Sequence, residues 1–195
     1  GVGEGTWPTM RKTLANMGIA EADFLRECNA TFKQGSTFNG WRNGQAEDTY
    51  HHPFSLPADF HKVNLAWHWM VQDHNMPFAE LVSPQSVVIA HGLAPKTQQN
   101  KAYEGVLNYG YHLDAGAFSH FLRKHCLENL HINHIVDDVI KVDRVSANLP
   151  RKEKSLSQKR LGDIVSVSTL NHGEVKGDLF VDCSGQQARL IGQCL

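Results

Sequence analysis

Lys33 is the only charged residue in the stretch 30–41, A-T-F-K-Q-G-S-T-F-N-G-W. Read as one strand, the stretch puts Phe32, Gln34, Ser36 and Phe38 on one face and Lys33, Gly35, Thr37, Asn39 and Trp41 on the other. An ammonium on a stiff strand, two residues from a glycine that lets something approach the backbone, can act as a reagent or an electrostatic anchor. It can equally be an edge-strand charge that discourages aggregation. The opening residues 1–6, G-V-G-E-G-T, set three glycines around Glu4, a density that allows backbone to come close to a ligand. Their offsets are not those of a G-x-G-x-x-G dinucleotide loop. A third group, Tyr50, His51, His52, Phe54 and Phe60, lies in the stretch 42–62, which reads as one long loop between prolines. Its aromatic content suits a surface that binds a flat ring.

Other chemistries find less support. The chain carries 12 histidines, but only His131-Ile132-Asn133-His134 comes near the spacing of metal ligands, and there is no H-E-x-x-H, so no metal site is expected. A serine hydrolase is not expected either, because G-x-S-x-G is missing. Trp67-His68-Trp69 reads as core.

Several elements must position these groups. Thr6 or Thr9 can cap a first helix, with Pro8 in its first turn, Met10, Leu14 and Met17 as its apolar stripe and Gly18 as its stop. A second short helix spans 19–29 with Phe24, Leu25 and Cys28 inward. Residues 63–73 read as helical, and 77–100 as irregular around Val87-Val88-Ile89. Residues 109–114 read as an extended segment ending on Asp114, the N-cap of an amphipathic helix with Phe118, Phe121, Leu122 and Cys126 on one face. A strand is expected within 132–145, around I-V-D-D-V-I-K-V. A solvated basic hairpin tip at 150–160 follows, then a strand over 164–170 and a turn at Asn171-His172-Gly173. The last expected element is a buried strand over 177–185 running into a tight glycine turn.

A chain of 195 residues can bury one sizeable core. With 19 basic and 20 acidic residues its net charge is −1, which gives no field favouring nucleic acid or an anionic membrane. No apolar run approaches the roughly 20 residues of a membrane helix. Four scattered cysteines without C-x-x-C fit a reducing cytosol, so a cytoplasmic location is expected.

The motifs G-V-G-E-G-T-W-P-T (1–9), E-C-N-A-T-F-K (27–33), F-N-G-W (38–41), Y-H-H-P-F (50–54), Y-H-L-D-A (111–115) and D-L-F-V-D-C-S-G (178–185) occur in this order. Together they resemble the flavin-dependent tryptophan halogenases, over essentially the whole chain. The resemblance implies an α/β fold: a partial FAD-binding, two-dinucleotide-binding-domain, Rossmann-like flavoprotein monooxygenase-type fold with an inserted substrate-binding segment. It implies an internal fragment of one halogenase domain, lacking the N-terminal glycine-rich phosphate loop and the C-terminal half. Within it, 1–29 would supply a strap and helices, 30–110 the lysine strand and substrate-side loops, and 111–195 a helix and a β-rich FAD-binding part.

The implied chemistry uses FADH2, O2 and chloride or bromide to make hypohalous acid, which halogenates the indole ring of tryptophan or a related aromatic. Lys33 matches the family's relay lysine, which holds the oxidant by hydrogen bonding or as a haloamine. Gly3, Glu4 and Gly5 match the flavin-contacting strap, where the family usually has alanine in place of Gly5. Val139 matches a backbone contact to the adenine end of FAD, and His52 and Phe54 match the residues that stack on the indole. A flavin reductase supplying FADH2 is the implied protein partner, with homodimerisation left open. Two alternatives stand beside this: a flavin monooxygenase that makes no halogenated product, and a catalytically inert partial chain.

Overall fold

The computed structural model describes residues 3–72, 76–145 and 160–193, in two compact units that divide after His131. The first is organised around an antiparallel sheet in the order β1-β5-β2, formed by Gly3–Gly5, Gly110–Asp114 and Thr31–Lys33. Alternation along β5 sorts its faces. Tyr109, just before the strand, Tyr111 and Leu113 point inward and are buried, whereas His112 is exposed. The inward face, joined by Phe32, packs on Leu14 of α1 (Thr9–Asn16), on Phe24 of α2 (Glu21–Glu27) and on Phe118, Phe121 and Leu122 of α6 (Ala115–Glu128). The rings meet edge-on: Phe24 and Tyr111 lie 4.9 Å apart, Phe32 and Tyr109 5.1 Å.

Inside this core sits one carboxylate. Glu21 accepts hydrogen bonds from the hydroxyls of Tyr109 (2.6 Å) and Tyr111 (2.8 Å), the ammonium of Lys96 (2.6 Å) and the backbone N–H of Tyr103 (2.7 Å). Burial pushes its pKa up, but these donors together outweigh burial and hold it below the ordinary value. Burial, with Glu21 nearby, raises the Tyr103 phenol to about 12.

The helices follow local signals, with one correction. Gly18, at φ +73°, ends α1, and Asp114 caps α6 by accepting from the N–H of Ala117 at 3.0 Å. Neither Thr6 nor Thr9 caps α1; Pro8 occupies the N-cap. The Thr6 hydroxyl is used instead in the sheet, accepting from the N–H of Tyr111 at 2.9 Å.

The stretch 30–41 is not one strand. Gln34 interrupts it: its carbonyl accepts from the N–H of Phe54 at 2.9 Å and its side-chain amide donates to the Leu93 carbonyl at 2.7 Å. The second half, β3 (Gly35–Asn39), leaves the first sheet and pairs with β4 (Thr49–Pro53). The long loop expected over 42–62 therefore contains a strand. The Asp48 carboxylate closes the turn between the two by accepting from the N–H groups of Arg42 (2.6 Å) and Asn43 (2.8 Å). What approaches the bare backbone of Gly35 is this partner strand, since a Cβ there would stand 3.0 Å from the Cα of Pro53.

Residues 77–100 are also more regular than expected, with α4 (Phe78–Val82) and α5 (Gln85–Ala90) following α3 (Leu65–Met70). Gln85, fully buried, ties α5 to the loops by accepting from the N–H of Ser55 and donating to the carbonyl of Asn108. Trp67 is not core: it is 58% exposed on α3, and Trp69 is half-buried against Phe78.

The second unit is an antiparallel meander, β6 (Val139–Arg144), β7 (Ile164–Thr169) and β8 (Gly173–Lys176). The strand begins later than I-V-D-D-V-I-K-V suggests, because Asp137 is turned to the β7–β8 turn. Its carboxylate accepts from the N–H groups of Asn171 (2.7 Å) and His172 (2.9 Å) and from the imidazole of His172, which holds it well below the usual carboxylate range. The apolar segment expected as a buried strand over 177–185 is neither buried nor a strand. Leu179 is 83% and Val181 74% exposed, and Asp182 folds the chain back by accepting from the N–H groups of Leu190 and Ile191. Of the basic hairpin tip at 150–160, all but Arg160 lies outside the described residues. Among the described residues no helix is long and apolar enough to cross a membrane, and no group of three His, Cys, Asp or Glu side chains is arranged to hold a metal.

Candidate functional site

The sheet face turned away from the core carries little bulk. Pairing places Gly5 opposite His112 and His112 opposite Thr31, with Lys33 two residues further along β2, opposite Gly110. Gly110 lets the chain cross closely above it: a Cβ there would come 2.6 Å from the carbonyl oxygen of Thr6. That crossing brings Trp7 over the sheet. Its ring lies 5.5 Å from that of buried Phe54, which reaches the same place from the end of β4.

Lys33 ends between these groups. Its Nζ is 5.5 Å from the ring centroids of both Trp7 and Phe54, within cation–π range. It stands 3.1 Å from the point where a Cβ on Gly5 would be, and His112 Nδ1 stands 3.4 Å from the same point. The amine is half-buried and makes no hydrogen bond or ion pair to another described residue. A cavity of about 400 Å³ opens beside it, walled by Lys33, Gly35, His112, Ile89 and Leu93. The His112 imidazole is held below its ordinary pKa, first by partial dehydration over the sheet and second by the positive charge of Lys33.

The structure thus brings Lys33, Gly5 and Phe54 together. It sets His52 elsewhere, exposed on β4 opposite Ser36, where it borders a second cavity of about 880 Å³ with Trp41, Tyr50, Trp69 and Phe78. Glu4 is exposed on β1, opposite Leu113. Val139 belongs to the other unit, where it opens β6 opposite Thr169. Trp7 and His112 were not singled out from sequence. The alternation Tyr111-His112-Leu113 carries the signal for His112, because two buried neighbours force the imidazole onto the opposite face.

The residues matched to FAD suit a cofactor met by backbone. β1 is an edge strand whose two ends, Gly3 and Gly5, carry no side chain and flank Glu4, so on the glycine face a flat ring can approach its main chain closely. β6 is the edge of its own sheet, with an irregularity between Val139 and Lys141 that interrupts regular pairing next to Val139.

Residues 1–195 match the family model described as tryptophan halogenase. The chain is 28% identical over 214 residues to tryptophan 6-halogenase ThaL of Streptomyces albogriseolus and 30% identical over 211 residues to tryptophan 7-halogenase RebH of Lentzea aerocolonigenes. Each match takes in 100% of this chain and 37% of the relative, so the chain spans little more than a third of their length. A crystal structure of a tryptophan halogenase from Shewanella frigidimarina superposes with a TM-score of 0.86 at 41% identity, covering 100% of this chain and 35% of that one. A flavin-dependent halogenase from Brevundimonas, BrvH, superposes at 0.77 and 28% identity, over 99% and 37%.

Proposed function

Because this chain belongs to the tryptophan halogenase family, we propose that it provides the strap and the lysine-bearing part of an enzyme that halogenates the indole ring of tryptophan or a related aromatic. The observation that carries this reading is the position of Lys33. A half-buried amine, without a polar protein partner among the described residues, stands between a glycine strap and the rings of Trp7 and Phe54.

FAD, delivered reduced by a flavin reductase, supplies the oxidation of chloride or bromide by O2 to hypohalous acid. The residues of this chain do the rest of the work assigned here. The backbone of Gly3, Glu4 and Gly5 offers an approach for the flavin, and the edge of β6 at Val139 one for the adenine. Phe54, beside Lys33, offers a flat surface to the indole, whereas His52 lines the separate cavity and is given no part in that contact. Lys33 holds the oxidant by hydrogen bonding or as a haloamine and so aims it at one carbon, which is catalysis by positioning. A cytoplasmic enzyme fits this supply of reduced flavin.

The competing reading is a flavin monooxygenase that hydroxylates. Lys33 speaks against it, since direct oxygen transfer has no use for a relay amine. Assaying the protein that carries this sequence with FADH2, O2, bromide and tryptophan separates the two. Brominated indole by mass spectrometry is the expected product, and a hydroxylated indole without any brominated one would refute the proposal.

A further inference from the structure

Nζ of Lys33 stands over the ring of Trp7, 5.5 Å from its centroid. That ring is an indole, the same group that the halogenase reading brings to this amine as substrate. We propose that Trp7 is itself a halogenation site: when no indole substrate is bound, Lys33 delivers its halogen to the Trp7 ring, and the protein is modified on its own side chain. This rests on the halogenase reading and adds to it an internal acceptor for unused oxidant.

The chain holds this ring where an electrophile has to approach it. A cation over an aromatic ring lies against its π electrons, and an electrophilic halogen must enter from that side. A halogen on Nζ is one covalent bond nearer the ring, close to the roughly 3–3.5 Å at which reacting atoms meet. Neighbouring contacts keep Trp7 there. The Thr6 N–H donates to the Tyr111 carbonyl at 2.7 Å, the Trp7 carbonyl accepts from the N–H of Met10 at 3.0 Å, and the Phe54 ring lies 5.5 Å away. The Trp7 ring is nevertheless 61% exposed, which leaves room for a halogen to arrive and for water to depart.

Electrons rather than distance choose the acceptor. Phe54 stands as near to Nζ as Trp7 does, at 5.5 Å, but its phenyl ring has no nitrogen lone pair to feed it and is the poorer nucleophile. In the haloamine form of Lys33, the electron pair of the nitrogen–halogen bond stays on Nζ. A π pair of the indole forms the carbon–halogen bond, and the C–H bond at that carbon breaks to restore aromaticity. The proton goes to Nζ and regenerates the amine. With hypohalous acid as the oxidant, indole C–H and hypohalous acid become indole C–halogen and water. If Lys33 holds the acid intact by hydrogen bonding the sum is the same, because the hydroxide leaves with the ring proton.

Two experiments test this. The first runs the bromination assay without tryptophan and locates bromine in the protein by peptide mass spectrometry. Bromine is expected on Trp7, with Phe54 unlabelled and Trp41 labelled less, although Trp41 is the more exposed indole at 74%. Lys33→Met should lose the Trp7 label. The second experiment needs no flavin: hypobromite is added stepwise to the protein, and the Trp7 label should again exceed that of Trp41 in the parent but not in Lys33→Met. Equal labelling of Trp7 and Trp41 in the parent overturns the proposal, as does a Trp7 lead that survives Lys33→Met. So does an enzyme that brominates tryptophan when it is supplied yet leaves Trp7 bare when it is not. If Lys33→Met does not fold, the ratio of Trp7 to Trp41 label in the parent decides. Should the parent brominate neither tryptophan nor itself, the halogenase reading fails, and the hypobromite labelling still decides whether Lys33 directs halogen to Trp7.

Discussion

The carboxylate of Glu21 lies 2.6 Å from the ammonium of Lys96, a pair almost closed off from solvent. Tyr109 and Tyr111 add two hydroxyl donors to the same carboxylate from β5, the strand whose other face holds His112. The pair therefore fixes, from below, the strand that lies between β1 and β2.

Removing one partner leaves the other charge buried and unmatched. Glu21→Ala should destabilise the protein by about 3–5 kcal/mol, read from urea unfolding. The same group sets an acid limit. Its folded pKa is depressed, so its contribution is complete above the unfolded value and fades as pH falls through the folded one. Stability of Glu21→Gln should change less than that of the parent over this acid range; equal slopes would contradict the assignment.

Two glycines on the open sheet face should respond differently to alanine. At Gly110 the new methyl would meet backbone, the Thr6 carbonyl at 2.6 Å, so Gly110→Ala should cost about 2 kcal/mol or more. At Gly5 it would meet only the flexible tip of Lys33 and the His112 ring, so Gly5→Ala should cost less than about 0.5 kcal/mol. Thermal unfolding of both variants checks the contrast, and equal losses would show that the crossing at Thr6 is not rigid.

On the proposed halogenase reading, Lys33→Ala in the protein that carries this sequence should abolish halogenated product while flavin oxidation and release of hypohalous acid continue. Trapping the oxidant with a chromogenic thiol distinguishes the outcomes. Loss of oxidant together with product would move the lysine into the flavin chemistry and remove its relay role.

In the second unit Asp137 holds the turn between β7 and β8 through the N–H groups of Asn171 and His172. Asp137→Ala should speed hydrogen exchange at those two amides and leave Val167 and Val175, paired within the meander, protected. Uniform acceleration across the sheet would mean that the carboxylate supports more than the turn.

The parts of the fold legible in the sequence are those written in neighbouring residues. The alternation through Tyr111, His112 and Leu113 and the cap at Asp114 need nothing from elsewhere in the chain, and both stand in the structure. The break at Gln34 and the strand at 49–53 depend on partners far away, Phe54, Leu93 and β3, and Pro53 reads as a breaker although it only ends the strand. The apolar run around Leu179 shows the converse error, since hydrophobicity predicted burial that the described residues do not supply. At the site, glycine density and a lone lysine were visible as possibilities, but nothing in the local pattern said that Trp7 would cross Gly110 to meet Phe54. That meeting comes from tertiary packing.

The openness of Leu179 and Val181 matters for anyone handling this protein at the bench. Large apolar side chains exposed this close together make a patch on which other copies can gather. Solutions of the 195-residue chain should turn cloudy with concentration, and Leu179→Lys should keep them clear.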